Sequence, residues 1–177
     1  MRVSADSAMR LAAVYACVRI LAETMASLPV VVYRPRKDGG KDRVTDHWLY
    51  QLLGKRPNRY QNPFEWREML QGHLALRGNA FCQILANSRG EITELIPIHP
   101  DRVRMELLSS GDYRYRIRDQ AGSEIVLPRG EVWHLKGLSS DGLIGLSPIE
   151  LSRESLGEQF GYRAQSNQPI RSCNPML

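Results

Sequence analysis

Apolar positions recur every three or four residues from Leu11 to Met25, taking in Val14, Val18, Leu21 and Ala22. That spacing predicts a helix over residues 7–27, with Ser7 as its N-cap and Pro29 ending it. Arg10, Arg19 and Glu23 fall on its other faces. The period then changes. Val30-Val31-Val32-Tyr33 is a β-branched run and predicts a strand. Lys37-Asp38-Gly39-Gly40-Lys41 predicts a turn, and residues 43–45 a second short strand that closes a hairpin. Asp46 is expected to open a short helix over residues 47–53, with Trp48, Leu49, Leu52 and Leu53 apolar.

Asn62-Pro63-Phe64-Glu65 is a strong helix start. Asn62 can cap, Pro63 suits the first helical position, and Glu65 can reach back to complete a capping box. The predicted helix runs to about Arg77 with a broad apolar face of Phe64, Trp66, Met69, Leu70, His73, Leu74 and Leu76. Gly78 is the expected left-handed residue after it. From Ala80 the pattern is mainly β, with strands predicted over residues 80–86, 92–98, 103–107, 113–118, 124–127 and 132–135. Asn87-Ser88-Arg89-Gly90, Ser109-Ser110-Gly111-Asp112 and Asp119-Gln120-Ala121-Gly122 supply turns between them. Gly137 to Pro148 is a Gly- and Ser-containing loop, and a last helix is predicted from Ile149 to about Phe160. The expected fold class is α+β, with N-terminal helices packed on mostly antiparallel strands and hairpins. One domain spans residues 1–160, and residues 161–177, polar and punctuated by Pro169 and Pro175, are expected to form an irregular or disordered tail.

Composition changes this picture little. A chain of 177 residues buries roughly 70% of its unfolded surface on folding. The net charge of +5, from 24 Lys and Arg against 19 acids, permits phosphate contacts, but the basic residues are spread along the whole chain. Cys17, Cys82 and Cys173 are an odd set with no CxxC pair, which argues against a zinc site or a redox motif. Cys17 on an apolar helix face and Cys82 in a strand are both expected to be small buried hydrophobes. No stretch reaches the ~20 apolar residues of a membrane span, and the N-terminus lacks the layout of a signal peptide. The chain is expected in a cytoplasm or inside a virus particle.

Candidate chemistry is sparse. His47, His73, His99 and His134 have no metal-site spacing. His73 reads as a half-buried helix residue. His99 and Asp101 stand close, but no nucleophile elbow accompanies them. Glu65 and Glu68 complement a helix dipole and do not form a carboxylate pair for catalysis. The 137–145 loop matches neither phosphate-loop pattern, so it reads as a segment that aims the last helix. No catalytic, cofactor or metal residue is assigned, and the chain does not read as an enzyme. One strand stands out. Tyr113, Tyr115 and Ile117 alternate with Arg114, Arg116 and Arg118. Three guanidiniums in a row can grip a nucleic-acid backbone, or can guard a sheet edge facing water. Arg114, Arg116 and Arg118 are therefore the candidate nucleic-acid-binding residues, and a small nucleic-acid-binding module is the alternative function.

Several short blocks carry a further signal in their order. Val14-Tyr15-Ala16-Cys17-Val18-Arg19-Ile20-Leu21-Ala22-Glu23 leads to Leu28-Pro29, then His47-Trp48-Leu49-Tyr50, Arg56-Pro57-Asn58 and Phe64-Glu65-Trp66. Leu76-Arg77-Gly78-Asn79-Ala80-Phe81 and Leu95-Ile96-Pro97-Ile98-His99-Pro100 follow, then Glu131-Val132-Trp133-His134-Leu135 and Asp141-Gly142-Leu143-Ile144-Gly145-Leu146-Ser147-Pro148-Ile149. Together these resemble the N-terminal half of the HK97-type portal proteins of tailed phages, over about residues 7–160. The resemblance implies a structural subunit of a ring, usually twelvefold, at one capsid vertex of the virion. It implies as partners further copies of the chain, the terminase, capsid and head–tail connector proteins, and the double-stranded DNA that passes through the channel. It places this segment in the wing, the mixed α+β outer part of the subunit. After Phe160 the sequence departs from the family's pattern, so the resemblance implies a truncated, prophage-type portal product.

Overall fold

The computed structural model describes residues 4–119 and 122–152. The predicted last helix beyond Ser152, the domain boundary near residue 160, the expected tail and Cys173 lie outside the described residues.

Where one helix is expected over residues 7–27, two form: α1 (Ala5–Ala8) and α2 (Ala12–Ser27). Ser4 caps α1, and Ser7, expected as the cap itself, is the third helical residue and returns a bond to Ser4 N, completing a capping box. The chain breaks at Leu11, whose ψ of 121° is extended. That break turns Leu11 inward, where it is buried with Ala8, Leu76 and Ile149. Tertiary burial overrides the continuous helical period. Leu21 and Met25, predicted on the same apolar face, remain about half exposed at 53% and 48%.

The first hairpin is displaced by about two residues from its expected place, to β1 (Val32–Pro35) and β2 (Lys41–Val44). Its register pairs Val32 with Val44 and Pro35 with Lys41, so Val30 and Val31 have no cross-strand partners. The Arg36 N–H donates to the Gly40 carbonyl and closes the turn. This hairpin is a sheet by itself. Two strands alone are marginal in water, and buried Val44 is its anchor. The next helix, α3 (Trp48–Gly54), is capped by His47 Nδ1, which accepts from Leu49 N at 3.2 Å; Asp46, expected to open it, makes no such bond.

α4 (Pro63–Arg77) follows the prediction closely. Asn62 and Glu65 form the capping box, Pro63 opens the helix, and Gly78 ends it at φ 71°. α2 and α4 run antiparallel: Arg67 reaches the Ala26 carbonyl at one end, and Leu76 packs with Leu11 at the other.

Two three-stranded antiparallel sheets make up the rest. One has the order β4-β3-β8, formed by β3 (Asn79–Ala86), β4 (Ile92–Ile98) and β8 (Val132–Lys136). The other, β5-β6-β7, is formed by β5 (Val103–Leu107), β6 (Tyr113–Arg118) and β7 (Glu124–Pro128). A last short helix, α5, occupies Pro148–Leu151. The helices and the first sheet share a core of Leu52, Trp66, Leu70, Ala80, Cys82 and Leu95, where Trp66 stacks on Trp133 at 5.7 Å. The two sheets share a second core of Phe81, Ile98, Tyr115, Ile117, Leu127 and Val132. β3 alternates between them, Ala80 and Cys82 on one side and Phe81 on the other, which is why it reads as nearly continuously apolar. Among the described residues, no helix is long and apolar enough to cross a membrane.

Candidate functional site

The Arg77-Gly78-Asn79 junction sits where α4, β3 and the 137–147 loop converge. The Gly78 carbonyl accepts from Gly137 N at 2.8 Å. A Cβ on Gly78 would lie 2.0 Å from the Leu146 carbonyl oxygen, and one on Gly145 would lie 1.9 Å from that of Gly78. Two glycines thus allow backbone to lie on backbone. The buried Asn79 amide then fastens the loop in place. Its Nδ2 donates to the Gly145 carbonyl at 2.7 Å, and its Oδ1 accepts from Gly145 N at 2.7 Å. Ser147 adds a bond to the Leu76 carbonyl at 3.0 Å while capping α5.

Asn79 Oδ1 also lies 2.9 Å from His134 Nε2, and Tyr115 Oη lies 3.1 Å from His134 Nδ1. A neutral His134 with its proton on Nε2 satisfies both contacts, donating to Asn79 and accepting from Tyr115. Burial, aided by the charge of Lys136, holds the His134 pKa down at about 4, consistent with that neutral form. Its ring stacks on Phe81 at 4.3 Å. The relay Tyr115–His134–Asn79–Gly145 ties the second sheet to the first and to the loop, and its histidine is a structural link.

Arg77, on α4, reaches out from the same junction. It donates to both carboxylate oxygens of Asp101, at 2.7 and 2.9 Å, and to Asp6 of α1 at 2.9 Å. The Arg77 hydrogen bond holds the Asp101 carboxyl below its usual pKa. His99 Nδ1 lies 3.7 Å from Asp101, so the His99–Asp101 pair exists in space. Asp101 is nevertheless engaged through both oxygens by Arg77, which does not leave it free to orient a catalytic imidazole. His73 meets His99 edge-on at 5.4 Å. Burial first, then the charges of His99 and Arg77, lower the His73 pKa to about 4, and its Nδ1 is buried with no hydrogen-bond partner among the described residues. A cleft of about 580 Å³ opens beside this cluster, lined by Asp6, Arg77, Asp101, Met105, Ile144 and Glu150 among others.

The arginine strand is β6. Its alternation holds: Tyr115 and Ile117 are buried, and the arginines face outward. The guanidiniums are paired along the sheet. Glu106 on β5 accepts from Arg114 Nε at 2.9 Å and from Arg116 Nε at 2.6 Å. Arg116 also donates to Glu124 on β7 at 2.9 Å, and Arg118 lies 3.5 Å from the same carboxylate. The bonds from Arg116 and then Arg114 hold the Glu106 carboxyl down at about 2. A shallow groove beside them is lined by Arg102, Arg104, Arg116 and Arg118, with Asp101 and Glu124. Arg104 pairs with no carboxylate among the described residues.

The 137–147 loop is built on Asp141. Its Oδ1 accepts from Leu143 N, Ile144 N and the Ser139 hydroxyl. The Ile144 and Leu143 bonds bring the Asp141 carboxyl down to about 2. Lys136 donates to the Gly142 carbonyl across the loop. The loop is self-satisfied and aims α5 at the junction. Of the cysteines, Cys82 is buried as expected, and burial pushes its thiol up to about 12. Cys17 is exposed, contrary to the expectation from the apolar helix face, because only one side of α2 packs on α4. Among the described residues, no three His, Cys, Asp or Glu side chains gather as a metal site. Motif reading reached Gly78 and Asn79, but the Arg77–Asp101–Asp6 hub and the His134 relay join residues too distant in sequence for spacing to reveal.

With junction, sheets and loop in place, the comparisons define the class of protein. The family model for phage portal protein matches residues 12–169, nearly the whole chain, and the chain belongs to that family. The match runs past residue 160, where the motif resemblance ends. The portal protein of Enterobacteria phage HK97 is 30% identical over 151 residues, which cover 84% of this chain and 35% of that protein. Protein BeeE of Escherichia coli K12 is 39% identical over 99 residues, 56% of this chain and 62% of that protein. A chain in the neck of an empty gene transfer agent particle superposes with a TM-score of 0.76 at 23% identity, covering 94% of this chain and 47% of that one. The α+β fold is therefore that of the portal relatives, and the chain spans about a third of the HK97 portal protein's length.

Proposed function

We propose that this chain supplies the wing of a phage portal subunit, a structural part with no catalytic step. In this reading copies of the subunit form a ring, twelvefold in the family's usual form, at one capsid vertex of the virion, after assembly in the bacterial cytoplasm. The ring's partners are the capsid, the terminase, the head–tail connector and the double-stranded DNA in its channel. The observation that carries the reading is the family match over residues 12–169. The junction supports it, because Gly78, Asn79 and Arg77 spend their bonding capacity on rigid positioning. Immunogold labelling of purified particles tests it. Label at a single vertex per head is expected; label spread over the shell, or none on particles, rejects the role.

A second reading makes the outward face of β5 and β6 a nucleic-acid surface, using Arg114, Arg116 and Arg118. The groove of Arg102, Arg104, Arg116 and Arg118 favours it, while Glu106 and Glu124 already occupy much of the row. Fluorescence anisotropy with a DNA duplex across a salt series discriminates. If the row binds DNA, affinity falls with salt and is lost in the triple Ala variant of Arg114, Arg116 and Arg118. Equal, weak binding by both proteins leaves the row a structural charge ladder.

A further inference from the structure

The β1–β2 hairpin concentrates positive charge. From Tyr33 to Arg43 the chain has five Lys and Arg against two Asp. Residues 33–39 and 41–43 are all exposed, and the hairpin pairs with no other described strand, so it projects as a two-stranded ribbon. Directly opposed residues of an antiparallel pair share a face, and so do residues two apart. The register therefore puts Val32, Arg34, Asp42 and Val44 on one face and Tyr33, Pro35, Lys41 and Arg43 on the other. Val44 is buried, so its face turns to the body and the Tyr33 face turns to solvent. Both carboxylates are engaged away from that outer face. Arg36 Nε lies 3.4 Å from Asp42 and 3.7 Å from Asp38, and Asp38 also accepts from Gly40 N at 2.9 Å. Lys37, Lys41 and Arg43 pair with no carboxylate among the described residues. The outer face thus carries cations, no acid, and the Tyr33 ring at 56% exposure.

We propose that this ribbon is a contact surface for double-stranded DNA, with Lys37, Lys41 and Arg43 on phosphates flanking the major groove. Charge complementarity selects a polyanion. Shape then selects among polyanions. A projecting ribbon is convex, whereas a single strand is held by a groove in the protein. Two strands about 4.8 Å apart, with their side chains, fit a B-form major groove about 12 Å wide. The major groove of A-form RNA is too narrow to admit them. Tyr33, between the cations, offers a flat ring to the deoxyribose and a hydroxyl that donates to phosphate. An acidic polypeptide makes no use of that ring. The hairpin also differs from β6, whose guanidiniums already meet Glu106 and Glu124 within their own sheet. The contact stands on the hairpin alone and needs neither a ring of subunits nor the β6 row.

Fluorescence anisotropy of the full chain with a labelled DNA duplex over a salt series tests this. The parent is expected to bind with an affinity that falls as salt rises. Lys37→Ala, Lys41→Ala and Arg43→Ala together are expected to weaken binding about tenfold or more at low salt. The slope of log affinity against log salt should become shallower by roughly 2–3. A control that removes the same charge at exposed Arg10, Arg56 and Arg89 is expected to lose less than about threefold. The three hairpin positions are exposed, so folding should survive their replacement. The swap Lys37→Arg, Lys41→Arg and Arg43→Lys keeps the charge and is expected to keep binding. Four results overturn the proposal: no duplex binding by the parent, equal loss in the control, loss in the charge-keeping swap, or tighter binding of a single strand or of polyglutamate than of the duplex. Loss confined to the triple Ala variant of Arg114, Arg116 and Arg118 also overturns it and gives the contact to β6.

Discussion

A methyl group at position 78 would lie 2.0 Å from the Leu146 carbonyl oxygen, on a backbone whose φ of 71° L side chains avoid. Gly90 has a similar φ of 78° but nothing within 4 Å of a Cβ. The pair separates backbone strain from overlap. Gly90→Ala is expected to cost about 1 kcal/mol, the left-handed penalty alone. Gly78→Ala is expected to cost at least about 2 kcal/mol more, since two backbone segments must part. Urea unfolding midpoints of the two variants check this, and equal costs would refute the close approach. Gly78 as a helix end was legible from Arg77-Gly78-Asn79. Its contact with Leu146 was not, because no local pattern encodes a distant backbone pressing on a glycine. The histidines make a second residue-scale prediction. His73 and His134 are held near a pKa of 4, against about 6.5 when unfolded. A lowered folded pKa means the unfolded chain binds more protons between those values. Their stabilising contribution is therefore present above pH ~6.5 and is lost as pH falls through about 4. Melting temperature is expected to drop across that window, ahead of the carboxylates of Glu106 and Asp141, which titrate at about 2. Replacing both histidines by Gln should flatten the profile between those pH values, and an unchanged slope would show that other groups dominate.

At the scale of elements, the strands and α4 were readable because their signals are local. The Asn62–Glu65 capping box, the β6 alternation and the turn glycines each act within a few residues. The break between α1 and α2 was not readable. Leu11 keeps the helical period in the sequence but leaves the helix to enter a cluster with Leu76 and Ile149, which arrive from far along the chain. Asp6 completes the arrangement by tying α1 to Arg77. If this packing is what splits the helix, Leu11→Ala should leave a cavity and cost about 2–4 kcal/mol. Ile20→Ala, on the exposed side of α2, should stay within about 0.5 kcal/mol. Thermal unfolding of the two variants checks the contrast, and similar costs would mean that Leu11 is not a core position.

At the scale of the whole molecule, the edges of the sheets matter. Among the described residues the second sheet ends in β5 on one side and β7 on the other. Arg104 and Glu106 place charges on β5, a guard against pairing with another chain. β7 has Glu124 at its start and then Ile125 and Val126, 52% and 43% exposed, beside Leu127 and Pro128. An apolar edge strand with one charge is a template for strand addition. No described strand pairs with that edge, so the protein is expected to associate with itself as concentration rises. Sedimentation velocity over a concentration series should show growing oligomers, and Val126→Lys should return most of the material to monomer by placing a charge on the edge. Val126 pairs in register with Arg116 on the outward face of the sheet, so folding should survive its replacement, and an unchanged circular dichroism spectrum verifies that. If the Lys variant associates as strongly as the parent, the β7 edge is not the contact. The half-exposed Leu21 and Met25 of α2 then become the surface to block, and Leu21→Glu with Met25→Lys is the variant that distinguishes it.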